Sequence, residues 1–181
     1  MKRMIVLAMA VSWWSATPVE AAKTLYENDF EKAAVDGVTQ EFLVLAGDFT
    51  VKQEGTNKFL ELPGAPLETF GVLFGPTEKE GVVVSARILG TSKGRRAPAF
   101  GVGLNGGTGY RLQMSPSKGL VELSRGDDVK ASVPYEWATG KWTRFRLEVR
   151  KTKEGHWKIA GKVWLADAQE PENPTIVWDD S

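Results

Sequence analysis

The segment Glu27-Asn28-Asp29-Phe30-Glu31 sets three carboxylates at alternate positions. On a strand, alternate side chains project to one face, so Glu27, Asp29 and Glu31 would stand in a row there. Retaining glycoside hydrolysis is done by two carboxyls about 5 Å apart. In an extended chain the α-carbons of Glu27 and Glu31 are about 13 Å apart, so their side chains would have to lean together. The plainer reading is an edge strand with solvated carboxylates, and it leaves the chain with no assigned catalytic residue.

A second spacing with chemical meaning is Gly101-x-Gly103-x-x-Gly106. In a dinucleotide site the third glycine opens a helix whose N-terminal N–H groups hold the pyrophosphate. Here Gly107-Thr108-Gly109 runs instead into Tyr110-Arg111-Leu112-Gln113-Met114, which alternates like a strand. No phosphate site follows, and no cofactor is assigned. Gly101 and Gly103 read as strand positions where a missing side chain lets a neighbouring sheet or a ligand approach.

His156 is the sole histidine and the chain has no cysteine, so neither a zinc set nor a nucleophilic triad can be completed. It reads as a turn residue beside Glu154-Gly155. Arg125-Gly126-Asp127 falls where two strands need a tight turn. No run of alternating carboxylates makes a calcium loop. Asp29, Asp179 and Asp180 remain as isolated candidates, and no metal is assigned.

The elements that must position these residues are strands. Period-two alternation runs through Phe70-Val72-Phe74, Val82-Val84-Ala86-Ile88, Phe100-Val102-Leu104, Tyr110-Leu112-Met114 and Phe145-Leu147-Val149. Trp157, Ile159, Val163 and Leu165 share one parity. Hairpin-type turn residues separate the runs: Asn105-Gly106-Gly107, Lys118-Gly119, Arg125 to Asp128 and Glu154-Gly155. No stretch carries a sustained 3.6-residue period. Short strands at even spacing without crossover helices predict an all-β, antiparallel β-sandwich.

At the N-terminus Lys2 and Arg3 precede an apolar run, Met4 to Trp14, and a small-residue site, Val19-Glu20-Ala21. That order predicts a signal peptide over residues 1–21 and a periplasmic or extracellular product. The remainder, 22–181, reads as one domain of about 160 residues, long enough to bury a core unaided. Basic and acidic residues balance at 23 each. No basic stripe is evident, so neither nucleic acid nor an anionic membrane is expected as partner, and nothing downstream predicts a membrane anchor. Without cysteine there is no disulfide framework.

Tyr26-Glu27-Asn28-Asp29-Phe30-Glu31, Phe70-Gly71-Val72, Gly109 to Leu112, Gly119 to Arg125 and Gly140 to Val149 together resemble the concanavalin A-like lectin and glucanase superfamily, closest to laminin-G-like and 3-keto-disaccharide-hydrolase-like domains of exported bacterial proteins. The resemblance spans about Thr24 to Trp178. It implies a jelly roll whose concave sheet face often takes saccharide. Glucanases of the superfamily carry Glu-x-Asp-x-Glu on a mid-chain strand of that face, with an apolar second residue; here Asn28 stands at that position and the motif opens the domain. The family pattern also ends in a Gly-rich strand and an edge strand. Against it, Ile176 to Ser181 reads as a shortened or rearranged finish, leaving the opening edge unpaired and open to homodimerisation.

Five tryptophans follow the signal segment: Trp137, Trp142, Trp157, Trp164 and Trp178. Sugars stack their apolar faces on aromatic rings while planar polar groups fix the hydroxyls. Trp142 and Trp157 read as core-facing. Trp164 is out of step with Val163 and Leu165, and Arg87, Arg111, Gln113 and Glu122 likewise point away from the dry faces. These five residues are the candidate saccharide-binding set, with Arg95 and Arg96 as a rim. A non-catalytic saccharide-binding module is therefore the leading reading, a structural or protein-interaction sandwich the second, and a glycosidase-like enzyme the third.

Overall fold

The computed structural model describes residues 23–38, 40–63, 69–79, 81–92 and 97–181. The expected signal segment and the Arg95–Arg96 rim lie outside the described residues. The strands are β1 Leu43–Ala46, β2 Thr50–Glu54, β3 Asn57–Glu61, β4 Gly71–Leu73, β5 Val82–Leu89 and β6 Phe100–Gly103, followed by β7 Tyr110–Ser115, β8 Leu120–Arg125, β9 Asp128–Pro134, β10 Trp142–Lys151, β11 Trp157–Leu165 and β12 Ile176–Asp180. All pairings are antiparallel. Two four-stranded sheets, ordered β12-β11-β10-β5 and β6-β7-β8-β9, form an all-β sandwich, and two ribbons, β1-β4 and β2-β3, precede and flank them.

Alternation decides what fills the space between the sheets. Phe145, Leu147 and Val149 of β10 meet Leu112 and Met114 of β7 and Val121 and Leu123 of β8, all nearly or fully buried. Ile159 and Val163 of β11 and Ile176 of β12 complete the lining. Each such side chain contributes about 1.5–3 kcal/mol on burial. The Phe100 ring lies edge-on to Phe145, with centroids 5.6 Å apart.

The hairpins carry the turn chemistry read from the sequence. In the β8–β9 turn Arg125 pairs with Asp128, and Gly126, the first of the two central residues, has φ of 56°. A two-residue loop with positive φ at its first position alone matches a type II′ turn, whose twist suits the flanking strands. The Arg-Gly-Asp tripeptide thus serves the turn. His156 is exposed, and its carbonyl accepts the Thr152 N–H at 2.7 Å in the β10–β11 turn.

The glycine spacing in β6 has a packing explanation. A Cβ on Gly101 would collide with the Leu112 carbonyl and the Gln113 backbone of the adjacent strand, and one on Gly109 with the Leu104 carbonyl. The glycines let β6 and β7 close on each other. Gly106–Thr108 makes one 3₁₀ turn before β7, too short to present a helix terminus to a phosphate.

Two expectations are corrected. Residues 27–31 are not a strand, because the Asn28 Oδ1 accepts the Phe30 N–H (2.8 Å) and the Asp29 Oδ1 accepts the Glu31 N–H (3.0 Å), with Phe30 at φ 64°. Asx side chains here capture the backbone locally and bend the chain. Trp142 does not face the core: β10 buries Thr143 and Phe145, so Trp142 has the opposite parity and projects outward. Trp157 does pack against the core.

Gly161 sits on the inner side of β11, against Leu112 of the facing sheet. A Cβ there would lie 2.6 Å from the Leu112 Cδ1 and 2.9 Å from the Ile176 Cγ2. Gly161→Ala is expected to cost about 1–3 kcal/mol through overpacking. Urea denaturation measures it, and an unchanged midpoint would contradict this account of the sheet spacing.

Candidate functional site

Burying Phe145, Leu147 and Val149 inward turns Arg144, Arg146, Glu148 and Arg150 to the outer surface of their sheet. Register then brings neighbours beside them. Arg144 stands between Arg87 of β5 and Trp164 of β11, forming a cross-strand row of two guanidiniums and an indole. Arg146 pairs with Lys162, Glu148 with Ala160, and Arg150 with Lys158. Directly opposed residues in neighbouring strands lie about 5 Å apart, and alternate residues along a strand about 7 Å apart, so these side chains form one continuous face. The sequence showed no basic stripe because these cations are spread over residues 87–162; the sheet collects them.

One end of this face is covered. The Arg87 guanidinium lies 4.8 Å from the centroid of the Trp142 ring, and its Nη2 donates to the Asn57 Oδ1 at 3.1 Å. Phe59 meets Trp142 edge-on at 6.1 Å. The β2–β3 ribbon therefore rests on Trp142, while Arg144 is exposed and Trp164 half-buried beyond it.

Toward the other end a shallow cleft of about 280 Å³ has the pair Ala160 and Glu148 at its centre, Arg146 with Lys162 and Arg150 with Lys158 at its two ends, and Pro174 in its wall. Glu170, from the β11–β12 loop, bridges Lys162 (2.9 Å) and Arg146 (3.8 Å). Glu148 pairs with Arg150. Arg144 and Lys158 make no ion pair among the described residues.

The sequence-derived set does not converge on one surface. Trp164 and Arg87 share the face just described, whereas Arg111, Gln113 and Glu122 lie on the outer side of the other sheet, across the core. Alternation reports which side of a strand a residue occupies, but both sheets have an outer side, and only the topology tells them apart. Glu122 is moreover engaged by the chain's own donors. It is 5% exposed, accepting from the Ser115 hydroxyl and, at 2.8 Å, from the Lys118 ammonium. Gln113 donates to Ser115 at 3.1 Å, and the Arg111 Nη2 to the Gly126 carbonyl at 3.2 Å. Burial raises the Glu122 pKa, but the hydrogen bonds from Lys118 and Ser115 and the charges of Lys118 and Arg111 outweigh it, so the group titrates below its ordinary value.

A larger cavity of about 420 Å³ opens at one end of the sandwich beside Tyr110, Arg125, Trp157 and Asn105. Its guanidinium is committed: Arg125 binds the Asp180 Oδ2 at 2.7 Å, and the Tyr110 hydroxyl donates to the same oxygen at 2.5 Å. Burial first, and then this bond, pushes the Tyr110 hydroxyl up to about 12. The cluster latches β12 across the gap to β7 and β8. Asp180 is thereby a structural acceptor.

The E-x-D-x-E carboxylates form no constellation. The Glu31 Oε1 accepts the Lys58 N–H at 3.2 Å, and Asp29 is used in its local turn. Among the described residues no group of three or more His, Cys, Asp or Glu side chains is placed to hold a metal ion. No helix among them is long and apolar enough to cross a membrane.

Comparison with protein-family models, curated proteins and solved structures gives no match. What can be stated of class is therefore the architecture, an antiparallel β-sandwich with one outer face rich in cations and tryptophan.

Because the Glu122 pKa is lowered by folding, its stabilisation is complete above the ordinary carboxylate range and disappears as the pH falls through the folded value. Glu122→Gln is expected to destabilise the fold at pH 7 and to be much closer to wild type near pH 3. Equal losses at both pH values in urea titrations would show that the Lys118–Glu122–Ser115 network does not carry the effect.

Proposed function

We propose that the protein is a non-catalytic saccharide-binding module of an exported chain, built on a concanavalin A-like jelly roll, with its ligand on the outer face of the β5-β10-β11-β12 sheet. The observation that carries this reading is the row Arg87–Arg144–Trp164: an indole set off from the core, level with two guanidiniums on a sheet surface. An aromatic ring supplies the apolar platform for a sugar face, and planar guanidiniums fix hydroxyls beside it. Trp142, already in contact with Arg87 and Phe59, serves as the wall at the end of the face. Among the sequence-derived ligand residues, Trp164 and Arg87 stay in this proposal, and Arg111, Gln113 and Glu122 leave it. A glycosidase reading loses the carboxylates of Glu27 to Glu31, since Asp29 is used in its local turn and Glu31 accepts from the Lys58 N–H.

Trp164→Ala is expected to weaken binding of neutral polysaccharides, measured by affinity electrophoresis in dextran and β-glucan gels, about tenfold, equivalent to about 1.4 kcal/mol. Measurable retardation that is equal for wild type and variant would end the stacking-platform reading.

A different observation favours a second reading, a protein-interaction domain that self-associates. Leu43 (63% exposed) and Leu45 (57%) of β1 share one side of the β1–β4 ribbon, with Leu73 beside them and Phe74 following. Both outer edges of this ribbon are unpaired among the described residues. Exposed apolar strand edges of this kind pair with second copies. On this reading the association edge is β1 rather than the segment at Tyr26. Sedimentation analysis is expected to show a dimer that Leu43→Lys with Leu45→Lys converts to monomer; a wild-type monomer at about 100 μM would dismiss this reading.

A further inference from the structure

We infer that the ligand of this face is a linear acidic polysaccharide, whose carboxylate or sulfate groups enter the cleft framed by Arg146, Lys162, Arg150 and Lys158; this rests on the saccharide reading above and names its substrate class. The chain as a whole is balanced, 23 basic against 23 acidic residues, so a sheet face presenting Arg87, Arg144, Arg146, Arg150, Lys158 and Lys162 is a local concentration of charge. The acidic groups against it are Glu148 and Glu170, and Asp179, which is paired with Lys158 in the β11–β12 register.

The geometry has the form of an anion site. Ala160 is a short residue among long ones and leaves a depression beside Glu148, whose carboxylate is held by Arg150, with two cations at each end of it. Opposed pairs in it are about 5 Å apart, and the two pairs are separated by about 13 Å along the strands. That separation suits a chain carrying charge at intervals better than a single compact anion. Glu170 supplies an internal precedent, because its carboxylate already sits between Lys162 and Arg146 as an incoming uronate carboxylate would. Trp164 lies just past the Arg146–Lys162 pair on the same side of the sheet, so a bound chain can stack one residue there while its acidic groups reach the cleft. Arginine suits this task because its planar fork binds carboxylate and sulfate in two-point fashion.

The test is affinity electrophoresis and calorimetry of the full chain with polygalacturonate, neutral dextran and single-stranded DNA, on wild type, Arg146→Gln with Arg150→Gln, Glu170→Gln and Trp164→Ala. Polygalacturonate is expected to bind more tightly than dextran or DNA, and to weaken about tenfold in the double arginine variant and about tenfold between about 50 and 300 mM salt. Glu170→Gln is expected to tighten polygalacturonate binding about threefold by removing a competing carboxylate. A gain of this sign does not arise from a damaged fold. Equal binding of polygalacturonate by wild type and the arginine variant overturns the inference, as does tighter binding of DNA, which would mark a general polyanion surface. Dextran binding that requires Trp164, with no preference for polygalacturonate, overturns the inference and leaves the saccharide reading standing. Arginine-dependent polygalacturonate binding that is indifferent to Trp164→Ala does the reverse to the stacking platform. No binding of any polysaccharide overturns both.

Discussion

The parity of β10 governs both the interior and the exterior of this protein. Its odd-numbered residues Thr143, Phe145, Leu147 and Val149 are buried, and its even-numbered residues Trp142, Arg144, Arg146, Glu148 and Arg150 line the opposite face. A slip of one residue would exchange them, taking guanidiniums out of water at several kcal/mol each and exposing Phe145 and Leu147. Because β10 is central, paired with β5 on one side and β11 on the other, its register fixes theirs. Core formation and assembly of the cationic face are thus one event.

The two outer faces have been put to different use. On the β6-β7-β8-β9 sheet, Gln113, Ser115, Lys118 and Glu122 bond to one another and the Arg111 Nη2 to the Gly126 carbonyl, so much of the polar surface is spent on internal bonds, although the Arg111 Nε and Ser124 Oγ are buried without a partner among the described residues. On the β5-β10-β11-β12 sheet, six cations stand against three carboxylates, Glu148, Glu170 and Asp179, so like charges remain side by side. Adjacent cations such as Arg146 and Lys162 repel, and a chain that retains such an arrangement gives up some stability at that surface. Glu170 and Glu148 relieve part of that repulsion. The remaining field attracts anions over roughly a Debye length, about 8 Å at physiological salt.

The closing elements show how small contacts complete a sandwich. The β12 strand adds an edge to one sheet, and its Asp180 reaches Tyr110 and Arg125 of the other. Trp178 rests edge-on to Tyr110 at 5.9 Å. At the opposite end the β2–β3 ribbon leans on Trp142 through Phe59. The N-terminal segment builds its own apolar cluster from Tyr26, Phe30, Phe42 and Phe74 and adds the β1–β4 ribbon, whose leucines remain exposed.

By itself the sequence determined the strands with strict alternation, β5, β6, β7, β10 and β11, the glycine turns between them, and their inward residues such as Leu112, Met114, Phe145, Leu147, Ile159 and Val163. Those depend on local periodicity and on backbone angles that glycine reaches without strain. It also marked Trp164 as outward, since its neighbours Val163 and Leu165 have the other parity. It misread Glu27 to Glu31, where Asx hydrogen bonds override an alternating pattern, and Trp142, whose parity is set by Thr143 and Phe145. Tertiary structure alone decided which outward residues keep company. Arg87, Arg144 and Trp164 are distant in sequence and adjacent in register, whereas Arg87 and Arg111 look equivalent in the chain and end on opposite sides of the core. Periodicity is a property of one strand, and the neighbours that make a surface are chosen by pairing between strands far apart in sequence.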